Sequence, residues 1–309
     1  MTHTHEDHLD PYVQKHLDRT IPIITNEFAA KTLESLGFTQ ILALSANFSS
    51  VLVSRGIEKA GPRCIVTMTP AQHGPKIASF MIPPTNGFIL EFGNGIGNEH
   101  AMINNPPLQE EVSSSQTRDS NLGGIQIIYR MYITGDTLLC DEMNEIKKRY
   151  PTLDCTLLYL GGTKFMGVLM TLDADQGVEC MQLIQSKVTI PIHHNDYDIY
   201  KSNLKQFQDK VKQISGDINI MNHMKIVYLS PGQSWDIVDE NLEQKISGIM
   251  SSSDLSTKTT DQRPISSGDL LNMNNNGEWP GQSTFEYNLT GGKSVRDAIR
   301  EGIVRGMEE

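Results

Sequence analysis

Apolar residues fall into short clusters along the chain, and the spacing inside each cluster names an element. Phe28, Ala29, Leu33 and Leu36 recur at helical intervals behind Asn26, a good N-cap, and Gly37 stands where a helix-ending glycine belongs. Ahead of them, Pro11 to Leu17 reads as a short helix and Ile21 to Thr25 as a brief strand. Gln40 to Leu44, Ser50 to Ser54, Cys64 to Met68, Gly87 to Phe92 and Gln126 to Thr134 are β-prone runs. After Asp136 the periodicity alternates. Helices are expected at Leu139 to Arg149, Asp173 to Gln185 and Asp198 to Ile214, with strands at Asp154 to Leu160, Val188 to Ile192 and Lys225 to Leu229. Such alternation implies a sheet with helices packed against it, an α/β domain.

Three stretches break the periodicity. Gly93 to Gly124 is rich in Gly, Asn and Ser and reads as a long exposed insertion loop. Its Gly93-Asn94-Gly95-Ile96-Gly97 has the wrong spacing for a dinucleotide-binding turn, and no helix follows it. Ser251 to Asn276 carries few large apolar residues, too few to offset the entropy of ordering, and reads as disordered linker. From Ser294 to Met307, Val295, Ile299 and Ile303 recur at four-residue intervals, with Asp297 completing a cap on Ser294. This is a tail helix that either docks on the domain or offers its apolar face to a partner. The expected organisation is therefore a domain over 1–232, a mostly disordered linker over 233–292 and a tail helix over 293–309.

The chain has 309 residues and a net charge of −11, from 26 Lys and Arg against 37 Asp and Glu. That balance argues against nucleic acid or an anionic membrane bound through a broad basic face. No apolar run approaches a membrane span, and the polar start lacks a signal-peptide pattern. Cys64, Cys140, Cys155 and Cys180 form no C-x-x-C pair and read as reduced thiols, which fits a cytoplasmic protein.

Chemistry concentrates in the opening segment, His3-Thr4-His5-Glu6-Asp7-His8. On an extended stretch, His3 and His5 project to one side and can chelate one ion; a helix beginning near Asp7 would turn Asp7 and His8 toward a second. Two ions about 3.5–4 Å apart can share a hydroxide. Alone, the hexapeptide could also be a histidine-rich terminus. Further candidates sit at strand ends: His73 after Thr69-Pro70-Ala71, Asp136 in Thr134-Gly135-Asp136-Thr137, and His193, with His194 beside it, after Val188 to Ile192. Taken singly, each has a plain reading as a surface or core histidine or a helix-capping carboxylate.

Together these pieces resemble the metallo-β-lactamase superfamily, and most of all the branch holding L-ascorbate-6-phosphate lactonase and N-acylphosphatidylethanolamine phospholipase D. The likeness is carried by His3, His5, Asp7, His8 and Leu9-Asp10, by Thr69-Pro70-Ala71-Gln72-His73, and by Tyr132-Ile133-Thr134-Gly135-Asp136-Thr137. Leu160-Gly161-Gly162, Met170-Thr171-Leu172-Asp173-Ala174 and Ile190-Pro191-Ile192-His193 extend it, in order, over roughly residues 1–232. The resemblance implies an αββα sandwich. It implies a first metal held by His3, His5 and His73, a second by Asp7, His8 and His193, and Asp136 bridging both. His194 is not counted. An all-nitrogen and oxygen donor set suits zinc, with manganese or iron compatible. The implied activity is hydrolysis of a lactone, ester or phosphodiester in a small-molecule or lipid-like substrate, with Asp7 orienting the nucleophile or relaying its proton. Relatives carry several strands ahead of the motif, whereas only Met1 and Thr2 precede His3 here. The expectation is thus a truncated sandwich lacking its first strands, with two ligands on a fraying terminus. The competing reading is a non-catalytic remnant that acts as a binding protein.

Overall fold

The computed structural model describes residues 1–45, 50–54, 62–76, 82–95, 121–122, 125–214 and 224–235. The tail helix, almost all of the linker, and residues 96–120 of the insertion loop lie outside them. The helices are α1 (Pro11–His16), α2 (Glu27–Ser35), α3 (Glu142–Arg149), α4 (Ala174–Ile184) and α5 (Leu204–Ile214). The strands are β1 (Ile23–Asn26), β2 (Ile41–Leu44), β3 (Ser50–Ser54), β4 (Pro62–Pro70), β5 (Asn86–Gly95), β6 (Asn121–Leu122) and β7 (Ile125–Ile133), followed by β8 (Cys155–Tyr159), β9 (Lys164–Phe165), β10 (Val168–Leu169), β11 (Val188–Ile192) and β12 (Lys225–Ile226).

A central mixed sheet runs β12-β11-β8-β7-β5-β4-β3, with β6 added beside β7. Its β3-β4-β5-β7 half is antiparallel and its β7-β8-β11-β12 half parallel. β4 therefore points the same way as β7, β8 and β11, and all four finish on one edge. In the parallel half each connection carries a helix, α3, α4 and α5 in turn, as parallel pairing requires.

The layers follow from strand alternation. One face of the sheet gives Ile89, Tyr132 and Leu158 to a core with Met143 and Ile146 of α3, Val178, Met181 and Ile184 of α4, and Phe207 of α5. On the opposite face, Val66, Met68 and Phe88 pack against Ile24 of β1 and Leu44 of β2. Those two strands form a small parallel sheet of their own. From the same two strands, Ile23 and Ile41 point the other way, into a cluster with Leu9, Val13, Leu33 and Phe38. The order is helix, sheet, sheet, helix, the α/β class expected from the sequence. Among the described residues the second sheet consists of β1 and β2 alone.

The opening residues do not fray. The Met1 amino group donates to Ile24 O at 2.8 Å, Thr25 Oγ1 to Met1 O at 2.9 Å, and Asn26 Nδ2 to Thr2 O at 3.0 Å. His3 is wholly buried. The expectation of a loose terminus is corrected by this pairing along β1.

Other boundaries moved for visible reasons. The insertion loop is shorter than read, because Gly93 to Gly95 continue β5 against β7 and Asn121–Leu122 pair back onto it. α3 starts at Glu142 and not at Leu139: Leu138 N is taken by Gln72 O at 2.7 Å and Leu139 N by Gln176 Oε1 at 3.1 Å. α5 starts at Leu204 and not at Asp198, since Lys201 N and Ser202 N both donate to Gly161 O, at 2.8 and 2.9 Å. In both cases a distant carbonyl outcompetes the local helix.

Candidate metal centre

Three loops leaving one sheet edge, together with the chain's opening segment, supply the side chains of the site. His73 lies three residues beyond β4, Asp136 three beyond β7, and His193 directly beyond β11. The opening segment closes over them as an extended stretch followed by a turn, in which His8 N and Leu9 N donate to His5 O at 2.9 and 2.8 Å. The expected helix start at Asp7 is displaced to Pro11, because Asp10 caps α1 through Tyr12 N and Val13 N and proline takes the first turn. Buried Leu9 pins this turn into the core beneath α2.

The structure brings together the seven side chains His3, His5, Asp7, His8, His73, Asp136 and His193. His3, His5 and His73 form one cluster and Asp7, His8, Asp136 and His193 another, with the donor atoms inside each cluster within 4.8 Å of one another. In the first, His5 Nδ1 is 3.0 Å from His3 Nε2 and 3.2 Å from His73 Nε2. In the second, Asp136 Oδ1 is 3.2 Å from His8 Nε2 and 3.5 Å from His193 Nε2, and Asp7 Oδ2 is 3.3 Å from His193 Nε2. Asp136 also reaches the first cluster, with Oδ2 3.8 Å from His3 Nε2. His194 joins neither cluster.

Supporting contacts aim the rings. His73 Nδ1 donates to Met170 O at 3.1 Å, which leaves the Nε2 lone pair facing inward. His193 Nδ1 sits 3.4 Å from Leu160 O. Thr2 Oγ1 lies 3.1 Å from His3 Nδ1 and 3.4 Å from His8 Nδ1. One nitrogen toward the centre and the other held by a carbonyl or hydroxyl is how metal-bound imidazoles are oriented. Gln72 N donates to Thr137 Oγ1 at 3.0 Å, and Leu138 N to Gln72 O at 2.7 Å, so the loops carrying His73 and Asp136 are tied together.

Two backbone features cost stability to place these side chains. His193 has φ +59°, left-handed and disfavoured for a residue with a Cβ; such outliers gather at functional sites. Gly135 has φ +63°, and a Cβ there would lie 2.5 Å from Asn86 O. Only glycine lets the chain turn Asp136 inward at that point.

The electrostatics favour neutral His3, His5 and His73 beside ionised Asp7 and Asp136. Burial pushes His3 down to about 2, His8 adding to the effect, and burial likewise lowers His5 and His73. Burial also opposes charge on Asp7, but the bond from His193 and the proximity of His8 hold its carboxyl at about 2. Asp136 stays well below the usual carboxylate range for the same reasons, burial overruled by His193 and His8. His193 moves up: burial pulls it down, while Asp136 and Asp7 outweigh that.

The donor set fits divalent cations on its own geometry. Among the described residues, buried His8 Nε2 and Asp136 Oδ1 have no hydrogen-bond partner. A single proton on His5 Nδ1 can serve only one of the two nitrogens that converge on it. A cation within each cluster would satisfy the atoms that converge there.

The sequence reading passed over two aromatic neighbours. Tyr200 Oη donates to Asp7 Oδ2 at 3.2 Å, and its ring lies 4.4 Å from that of His193. Tyr159 stacks on His8 with ring centres 5.9 Å apart; burial, with Asp136 adding, raises its phenol to about 12. Tyr197 and Tyr200 closely follow the His193 strand end, and that was the available signal.

Comparison with known proteins follows the same lines. No family model matches the chain. It is similar to a UPF0173 metal-dependent hydrolase of Methanosarcina mazei, 24% identical over 234 residues that cover 76% of this chain and 78% of that protein. A UPF0173 metal-dependent hydrolase of Staphylothermus marinus is 32% identical over 105 residues, covering 34% of this chain and 40% of that one. The matched region spans about two fifths of the length of the Carboxydothermus hydrogenoformans, Nanoarchaeum equitans and Staphylothermus relatives. Among solved structures, an isothiocyanate hydrolase from Delia radicum gut bacteria aligns at TM-score 0.49 and 14% identity, covering 73% of this chain and 72% of that one. Igni18, a metallo hydrolase of Ignicoccus hospitalis, aligns at TM-score 0.44 and 20% identity, covering 75% and 76%.

Proposed function

We propose that this chain is a metal-dependent hydrolase that holds two divalent ions, zinc by its donor set with manganese or iron compatible, and cleaves a lactone, ester or phosphodiester. The observation that carries the reading is the convergence of two ligand-like clusters on Asp136, which reaches imidazoles of both. Similarity to proteins named as metal-dependent hydrolases supports it. In this reading His3, His5 and His73 would hold one ion and Asp7, His8 and His193 the other, with Asp136 available to both. The finer likeness to the lactonase and phospholipase D branch belongs to the same proposal.

Two ions held there would supply Lewis acidity and a nucleophilic water at neutral pH. The chain's own residues do the rest. Asp7, ionised at neutral pH and exposed enough to meet solvent, is placed to orient a water and to accept a proton on its carboxylate. The Tyr200 hydroxyl, donating to Asp7 Oδ2, fixes which carboxylate oxygen faces the centre. Thr2, Leu160 and Met170 hold the imidazoles in their ligating tautomers. Among the described residues no helix is long and apolar enough to cross a membrane.

The test is reconstitution. Metal-stripped chain is assayed with and without added zinc or manganese on p-nitrophenyl esters, γ-lactones and bis-p-nitrophenyl phosphate. Metal-dependent turnover, lost in Asp136→Asn, is expected. Metal uptake without turnover on any class would favour the binding-protein reading.

A further inference from the structure

Among the described residues, five of the nine exposed large hydrophobic side chains come from two short segments: Phe165, Met166 and Val168 from the β9–β10 hairpin, and Tyr197 and Ile199 from the loop after β11. Scattered apolar residues on a surface mean little, but gathered ones mark a contact site. Both segments spring from the rim of the metal centre. An antiparallel bridge pairs Gly161 with Ser202, so the stem of the hairpin and the 197–200 loop leave from one point. The hairpin begins just after Leu160, whose carbonyl faces His193 Nδ1, and ends at Met170, whose carbonyl holds His73 Nδ1. On the loop side, a run of rings leads outward from the centre: His193 to Tyr200 at 4.4 Å, then Tyr200 to Tyr197 at 5.7 Å.

The hairpin tip gives up stability to present its side chains. Phe165 pairs directly with Val168, so Met166 and Gly167 form a two-residue turn, and both have positive φ, at 50° and 82°. Such a turn favours Asn-Gly. Here the first position holds a methionine that is 89% exposed, so neither turn chemistry nor burial explains it. A flexible thioether beside a phenyl ring is suited to gripping apolar groups of varied shape.

We propose that the hairpin and the 197–200 loop are two lips that bind the apolar arm, an acyl chain or aryl group, of a dissolved amphiphilic substrate whose scissile bond lies at the metal centre. This rests on the hydrolase reading above and names the substrate class for it. The charged neighbours on the lips, Lys164 and Lys201 against Asp196 and Asp198, cancel, so the site has no added attraction for an anionic bilayer. The occupant is a single molecule with a polar, hydrolysable head.

The test uses the full chain loaded with zinc, its metal content measured first, and calorimetry with a series of carboxylates from butyrate to decanoate. The carboxylate addresses the centre and the alkyl chain the lips. Affinity is expected to rise about two- to fourfold per added methylene, the range for half to full burial of a CH2. In the exposed double variant Phe165→Ser/Met166→Asn the dependence flattens while zinc content is unchanged. Met166→Asn alone raises the thermal midpoint, because asparagine suits the turn. A flat length dependence in a zinc-bound wild-type chain overturns the lips and leaves the hydrolase reading standing. The lips are likewise overturned if the double variant keeps the wild-type slope, or if neutral phosphatidylcholine vesicles bind in a Phe165- and Met166-dependent way while decanoate does not. Absence of zinc uptake overturns the hydrolase reading, and the lips fall with it.

Discussion

His3 lies wholly buried against three imidazoles and Asp136, and this has a measurable consequence in the metal-free protein. In the unfolded chain its imidazole titrates near 6.5. In the fold, burial and then the neighbouring His8 push it to about 2. Below pH 6.5 the unfolded chain therefore takes up a proton that the fold refuses, and stability falls with pH. The contribution is at full value above about 6.5 and is lost steadily as pH drops toward about 2. Between pH 7.5 and 5.0 only the unfolded state titrates, so the loss is about 2 kcal/mol, from 1.36 kcal/mol per unit over the 1.5 units below about 6.5. Replacing His3 by glutamine removes this term. Urea unfolding of EDTA-stripped wild type and His3→Gln at both pH values gives a double difference in which packing changes cancel. The contribution of His193, which is raised and so has the opposite sign, cancels with them. The wild type is expected to lose about 2 kcal/mol more than the variant on going to pH 5.0. Equal losses in the two proteins would refute the buried, neutral state of His3.

Other outcomes follow from the same geometry. Asp136→Asn, at the carboxylate whose two oxygens face the two clusters, should reduce bound zinc from two per chain to at most one, read by elemental analysis after dialysis. Gly135→Ala forces a Cβ to within 2.5 Å of Asn86 O at a positive φ, and should cost about 1–3 kcal/mol in chemical denaturation while weakening metal uptake. Phe207→Ala, on the buried face of α5 and none of the clustered donors, should cost about 3–5 kcal/mol and leave metal stoichiometry unchanged. His194→Ala should leave zinc content unchanged, since its ring joins neither cluster.

Much of the centre could be read from the chain because its chemistry needs fixed residue types at fixed places. The opening His3-to-His8 segment carries its own spacing, and His73, Asp136 and His193 each sit just past a strand, where a shared sheet edge brings distant loops together. The α/β alternation after Asp136 was legible for the same reason: buried strands and amphipathic helices leave different periods. Long-range backbone pairing left no such mark. The 198–203 stretch reads as helix but is captured by Gly161, and this capture turns Tyr200 toward Asp7. The β9–β10 hairpin was missed because Met166-Gly167 is an unfavourable version of its turn, so the usual asparagine signal is absent. The anchoring of Met1 to Ile24 was equally invisible, since it depends on backbone groups that every residue has.

Zinc titration of the stripped full chain, with X-ray absorption at the zinc edge, tests the proposed pair of metal ions most directly. Two zinc ions per chain, both with nitrogen and oxygen neighbours only and each lost or weakened by Asp136→Asn, are expected. A chain that takes up no zinc, or binds it through cysteine sulfur, would contradict the paired-metal centre.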